Sequence, residues 1–237
     1  MLKIKKISKS IKDKIILNEI SINVNAGEIY GLLGPNGAGK TTTFYMIAGL
    51  LDCNSGEINF LDVDISKLPM HKRSQLGIKY LPQEPSIFQN LSVYENLLGL
   101  AEISFDNKED IKKFINKSIE NFNLSEICDL KGRQLSGGQR RKVEIARTLA
   151  DKPKIILLDE PFAGIDPIAI EDIKNVLKQL SNKNIAVLIT DHNVRETLEI
   201  CNKAAIINNG EILAKGDKEE LINNQLVKKV YLGNMYN

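Results

Sequence analysis

Eight consecutive residues, Gly34, Pro35, Asn36, Gly37, Ala38, Gly39, Lys40 and Thr41, match the phosphate-binding pattern G-x-x-x-x-G-K-[ST] in full, and Thr42 follows them. Small residues let backbone N–H groups converge on phosphate oxygens with no Cβ in the way. Lys40 is suited to reach β- and γ-phosphates, and the Thr41 hydroxyl to ligate Mg²⁺. A helix beginning here adds unpaired N–H groups and the positive end of its dipole. Such a loop handles a nucleoside polyphosphate, but by itself it leaves open which nucleotide binds and what hydrolysis drives.

Two further stretches carry chemistry. The apolar run 155–158 ends in adjacent carboxylates, Asp159 and Glu160. Asp159 is suited to hold Mg²⁺, directly or through its water. Glu160, one residue on, is suited to polarise an attacking water as general base. Leu135, Ser136, Gly137, Gly138 and Gln139 precede a helical run, 139–150, in which Val143, Ile145, Ala146 and Leu149 are apolar. That makes a second helix N-terminus suited to an anion. Two separate phosphate-type sites in one chain invite a two-molecule explanation.

The elements that must position these residues can be read from the pattern. Residues 29–33 form the apolar strand the loop requires, and 42–50 the helix, offering Phe44, Ile47, Leu50 and Leu51 to one face. Before them, Leu2, Ile4 and Ile7, then Ile15, Leu17, Ile20, Ile22 and Val24, read as antiparallel strands. Short strands follow from Ser55 and at Ile78–Leu81, the latter ended by Pro82 and Gln83. From about 84 to 150 the pattern turns helical. Ser92 with Glu95, and Asp106 with Glu109, have capping-box spacing. Continuous apolar runs at 155–158 and 185–189 suit buried parallel strands. Asn209-Gly210 predicts a hairpin, and Asp217 with Glu220 another cap.

Bulk properties narrow the function class. The 237 residues are 43% hydrophobic and 26% charged, with a formal charge of +2. That suits a soluble globular chain and argues against a nucleic-acid partner. The cluster Arg140, Arg141 and Lys142 reads as a solvated or interface face. The basic N-terminus lacks a signal core, and no apolar run reaches the ~18–20 residues of a membrane span. Cys53, Cys128 and Cys201 are scattered, without metal-ligand spacing.

With these motifs in this order, the chain resembles the nucleotide-binding subunits of ABC transporters along essentially its whole length. The resemblance implies an α/β P-loop NTPase fold: a RecA-like core with an antiparallel β-subdomain (about 1–83 and 151–237) and an inserted α-helical subdomain (about 84–150). It implies ATP and Mg²⁺ as cofactors, and a head-to-tail homodimer. In that dimer the signature residues Ser136, Gly137, Gly138 and Gln139 of one copy close over the γ-phosphate held by the other's phosphate loop. Gln83 is then the glutamine that contacts Mg²⁺ or the water and reports to the helical lobe. His192 contacts the γ-phosphate, and Asp166, after Gly164 and Ile165, meets the partner across the dimer. The implied metal set is Thr41, Gln83 and Asp159. Ile11 stands where the family usually has an aromatic residue that stacks on adenine. An aliphatic side chain there loses a ring–ring term on the order of 1–3 kcal/mol, which predicts weaker adenine discrimination and tolerance of GTP.

Within the family, Tyr80 to Phe88, Asp159 to Pro167, Thr190 to Leu198 and Val227 to Gly233 resemble the lipopolysaccharide-export branch. That implies two integral membrane subunits as partners and a cytoplasmic, peripheral place under the inner membrane. Gln139 stands where many members of that branch have Glu. Two alternatives stay open: the ATPase subunit of a branched-chain amino-acid importer, and a non-transport soluble ABC ATPase. Phe88 has two readings, one lining the groove for a membrane subunit's coupling helix and one buried in the core.

Overall fold

The computed structural model describes residues 1–232. Its core is two sheets. Strands β1 (Leu2–Ile11), β2 (Lys14–Val24), β4 (Ser55–Phe60) and β5 (Val63–Asp64) form an antiparallel sheet ordered β2-β1-β4-β5. Strands β3 (Ile29–Leu33), β6 (Ile78–Leu81), β7 (Ile155–Asp159), β8 (Ala186–Thr190), β9 (Lys203–Asn208) and β10 (Glu211–Gly216) form the second, ordered β10-β9-β3-β8-β7-β6. The pairings from β9 through β6 are parallel, and only β10 runs against its neighbour. Ile4 and Ile7 both face the core although three residues apart. A register shift between them, with Lys6 at φ 48°, absorbs the extra residue.

Every residue of β3, β7 and β8 is buried, because helices cover both faces of this sheet. One face carries α1 (Lys40–Ala48), whose Phe44, Met46 and Ile47 pack with Leu157, Leu188 and Ile207. The other carries α6 (Pro167–Asn182), whose Ile173 and Leu177 pack with Ile156 and Val187. Each fully buried Ile or Leu here contributes about 1.5–3 kcal/mol. Between β6 and β7 lie α3 (Val93–Ser104), α4 (Lys108–Asn121) and α5 (Gly137–Thr148). The remaining α-helices are α2 (Met70–Leu76), α7 (Val194–Ile200), α8 (Lys218–Asn223) and the short α9 (Gln225–Val227). No helix is long and apolar enough to cross a membrane among the described residues.

Parallel pairing puts the C-terminal ends of β3, β8, β7 and β6 side by side. The loops bearing Gly34, Asp191-His192, Glu160 and Gln83 leave from that one edge, which is where open α/β sheets bind ligands.

The structure corrects several details. Helix α1 stops at Ala48, capped by Gly49 at φ 81°, so Leu50 lies beyond it and is exposed rather than on the core face. Asn107, not Asp106, caps α4, its side chain accepting from the Asp110 N–H at 2.8 Å. The Ser92–Glu95 capping box opens α3 as expected, and residues 84–91 before it form an irregular loop. Buried Asn96 on α3 holds that loop, accepting from the Phe88 N–H and donating to the carbonyls of Phe88, Leu91 and Ser92. The Asp217–Glu220 box and the Asn209-Gly210 hairpin form as expected. Gly233, at the end of the C-terminal stretch, lies outside the described residues.

Candidate functional site

The loop from Gly34 to Gly39 leaves the end of β3 and enters α1 at Lys40. Gly34 sits at φ 152°, and a Cβ there would come within 2.1 Å of the Ile207 carbonyl oxygen. Only glycine lets the chain pass β9 this closely. Pro35, Asn36 and Gly37 are exposed, Ala38 and Gly39 buried, Thr41 exposed and Thr42 half-buried. The Lys40 ammonium donates to the carbonyls of Gly34 at 2.7 Å and Pro35 at 3.0 Å. Burial lowers its pKa, while the carboxylates of Glu160, Asp159 and Asp191 oppose that shift. The loop's cation therefore lies in the field of the β7 and β8 strand ends.

Register arranges those ends. Thr190 pairs with Asp159 across β8 and β7, and its hydroxyl donates to Asp159 Oδ1 at 2.5 Å. The Tyr80 hydroxyl donates to Asp159 Oδ2 at 3.3 Å. Burial first, then the Asp159 charge, raises the Tyr80 pKa, so the phenol is a donor at neutral pH. Glu160 follows at φ 46°, a left-handed conformation uncommon for a residue with a Cβ, fixed by its N–H bond to the Thr190 carbonyl at 2.8 Å. That turn brings its Oε2 to 2.9 Å from Gln83 Nε2 and 3.4 Å from His192 Nδ1. Gln83, Glu160 and His192, far apart in the chain, thus meet at one carboxylate oxygen. Asp191, fully buried, accepts from the N–H groups of Phe162 and Asn193 and fixes the turn that carries exposed His192. Desolvation pushes its pKa up.

The oxygen donors of Asp159, Thr41 and Gln83 are the hard type that Mg²⁺ takes. Asp159 is held by two hydroxyl donors that leave lone pairs on both its oxygens. That donor set fits the ion. The one carboxylate trio close enough to hold a metal among the described residues, Glu171, Glu196 and Glu199, is elsewhere and surrounds the buried Lys174 ammonium.

Ser136 caps α5 in a capping box with Gln139. Gly137 is exposed and Gly138 buried. A Cβ on Gly138 would lie 2.4 Å from the Ala169 Cβ on α6, so this glycine serves the packing of its own chain. Asp166 caps α6, accepting from the Ala169 N–H at 3.0 Å. The hydrogen bonds of Ser136 are local, and nothing ties it to the phosphate loop of its own chain among the described residues.

Ile11 ends β1 and is exposed. Phe88 is also exposed, at 49%, which excludes the buried-core reading. The Arg147 guanidinium lies 4.8 Å from its ring centroid. Next to it, a groove of about 220 Å³ runs between α2 and β6 on one side and α3 and α5 on the other, with Met70, Tyr80, Leu100 and Arg147 in its walls.

Arg141 overturns the solvated reading of the basic cluster. It is 6% exposed. Its guanidinium donates to the Pro82 carbonyl at 3.0 Å, to Glu144 at 3.1 Å and to the Asp159 carbonyl at 3.2 Å. It therefore grips the backbone one residue before Gln83 and one before Glu160. Sequence reasoning missed Arg141, Tyr80, Thr190, Asp191 and Asn96. A polar residue inside an apolar-periodic helix, or one flanking a strand-end motif, was the available signal.

Comparisons with known proteins agree with this geometry. A family profile described as ABC transporter matches residues 17–163. The lipopolysaccharide export system ATP-binding protein LptB of Haemophilus influenzae is 53% identical over 97% of this chain and 96% of the relative. Its counterpart in Escherichia coli K12 is 50% identical over 97% and 95%. Among solved structures, an ABC transporter ATP-binding cassette in its ADP conformation superposes with a TM-score of 0.87 at 31% identity, covering 98% of each chain. A bacterial ABC transporter cassette solved as a dimer gives 0.81 at 25%, covering 92% of this chain and 99% of that one.

Proposed function

The chain belongs to the ABC transporter family, and on that footing we propose that it is the ATP-hydrolysing subunit of a lipopolysaccharide exporter. The observation that carries the reading is the meeting of Gln83 and His192 on Glu160 beside the phosphate loop. Its support for the cargo is identity of 50–53% over nearly the whole chain to relatives named for lipopolysaccharide export.

In this reading the loop N–H groups and Lys40 bind the β- and γ-phosphates of ATP. Thr41, Gln83 and Asp159 would hold Mg²⁺, which would supply charge neutralisation at the phosphates. A second copy of the chain closes head-to-tail, Ser136 and Gly138 capping the γ-phosphate and Asp166 meeting the partner. Glu160 accepts a proton from the attacking water as its oxygen bonds to the γ-phosphorus, and the bond to the bridging oxygen breaks to release ADP. His192 and Gln83 orient Glu160 and the water. The helices between β6 and β7 pass the change to two membrane subunits, and the ATPase sits peripherally on the cytoplasmic face of the inner membrane.

Two tests follow. Tagged wild-type protein should co-purify two membrane subunits from native membranes; recovery of amino-acid permease subunits instead would favour the importer reading. Phe88→Ala should leave the fold intact, because its ring is exposed, and cut that recovery severalfold. Undiminished recovery would remove Phe88 from the docking surface. At the base site, Ile11→Tyr should lower the Michaelis constant for ATP about fivefold, the equivalent of about 1 kcal/mol of stacking. An unchanged constant would show that Ile11 does not meet the base.

A further inference from the structure

Tyr80 belongs to two places at once. Its ring stands in the wall of the groove between α2–β6 and α3–α5. Its hydroxyl donates to Asp159 Oδ2 at 3.3 Å. The strands explain how. β6 is the edge of the six-stranded sheet, so one of its flanks is open to the groove. Tyr80 pairs with Leu157 on β7, and Asp159 is two residues beyond Leu157. The two side chains are therefore diagonal neighbours on one sheet face, within reach for a long side chain.

The ring is braced from the α1 side. Phe44 and Tyr45 meet it edge-on, with centroids 6.5 Å and 6.1 Å away. Both belong to the helix that begins with Lys40 and Thr41. Asp159 is also held on its other oxygen by Thr190. Two hydroxyls from flanking strands thus set the carboxylate's rotation. Thr190 is fully buried between β-strand neighbours. Tyr80 alone of the two borders a surface groove.

We propose that Tyr80 is a positioning residue that aims the Asp159 carboxylate at the nucleotide-bound divalent cation. The inference rests on the ATPase reading given above.

Tyr80→Phe tests it, because the variant keeps the ring and removes only the hydroxyl. The readout is the dissociation constant of ADP measured calorimetrically with and without Mg²⁺, alongside the melting temperature. Wild type should bind ADP more tightly with Mg²⁺. The variant should lose on the order of tenfold of that gain, with metal-free affinity and melting temperature unchanged. An undiminished Mg²⁺ gain overturns the proposal. A wild-type protein that binds no nucleotide overturns the ATPase reading instead.

Discussion

Glu160→Gln should bind ATP and assemble the dimer yet hydrolyse at least about a hundredfold more slowly, within the range that general-base removal gives. The substitution is nearly isosteric. A glutamine oxygen can still accept from Gln83 Nε2, which sits 2.9 Å from Glu160 Oε2 in the native site. The left-handed turn at φ 46° and the Glu160 N–H bond to Thr190 are backbone features that the change leaves alone. What disappears is the negative charge and its basicity. Phosphate release in the steady state measures turnover, and size-exclusion chromatography with ATP measures assembly. Near wild-type turnover would mean that another group takes the water's proton. Loss of ATP binding together with turnover would mean that Glu160 is structural.

Arg141→Met should both destabilise the fold and lower turnover. Removing the guanidinium strands Glu144, whose side chain is 3% exposed and keeps only the Ser86 N–H at 2.6 Å as a neutral donor. Breaking a buried pair in this one-sided way costs about 3–5 kcal/mol, or roughly 6–20 °C in melting temperature for a chain of this size. Adding Glu144→Gln should recover part of that loss, since the second buried charge goes too. The functional expectation is separate. Arg141 holds the carbonyls of Pro82 and Asp159, so the Gln83 and Glu160 loops lose their shared anchor. Turnover should fall even at temperatures where the variant is folded, and the Glu144→Gln addition should not restore it. A variant that melts normally, or hydrolyses normally while folded, would show that the anchor is dispensable.

The corrections have one origin. Leu50 and Asp106 lie where local patterns compete: a glycine at φ 81° stops α1, and Asn107 rather than Asp106 caps α4. Periodicity cannot weigh such contests, because both candidates satisfy it. Arg141 is the more instructive case. Its neighbours Arg140 and Lys142 are half-buried, Lys142 pairing with Asp172 at 3.0 Å, and three basic residues in a row look alike in sequence. A helix turns about 100° per residue, so one of the three had to point inward. Only the strand ends beside α5 decide that the inward one finds two carbonyls and a carboxylate. Phe88 shows the same limit from the other side, since an apolar ring suits a core or a docking groove equally until the surface is known.

The sequence by itself determined the chemistry. The residue types at 34–41, 135–139 and 159–160 suit phosphate binding, anion binding and general-base chemistry, because few other residues can perform them. It also pointed to the parallel core, through the continuous apolar runs 155–158 and 185–189. The tertiary structure decided which of these groups meet. Glu160, Gln83 and His192 converge because β6, β7 and β8 are adjacent and parallel. Thr190 and Tyr80 reach Asp159 because strand register puts one opposite it and the other diagonal to it. Adjacency and register are properties of paired backbones far apart in the chain, and no local pattern of side chains records them.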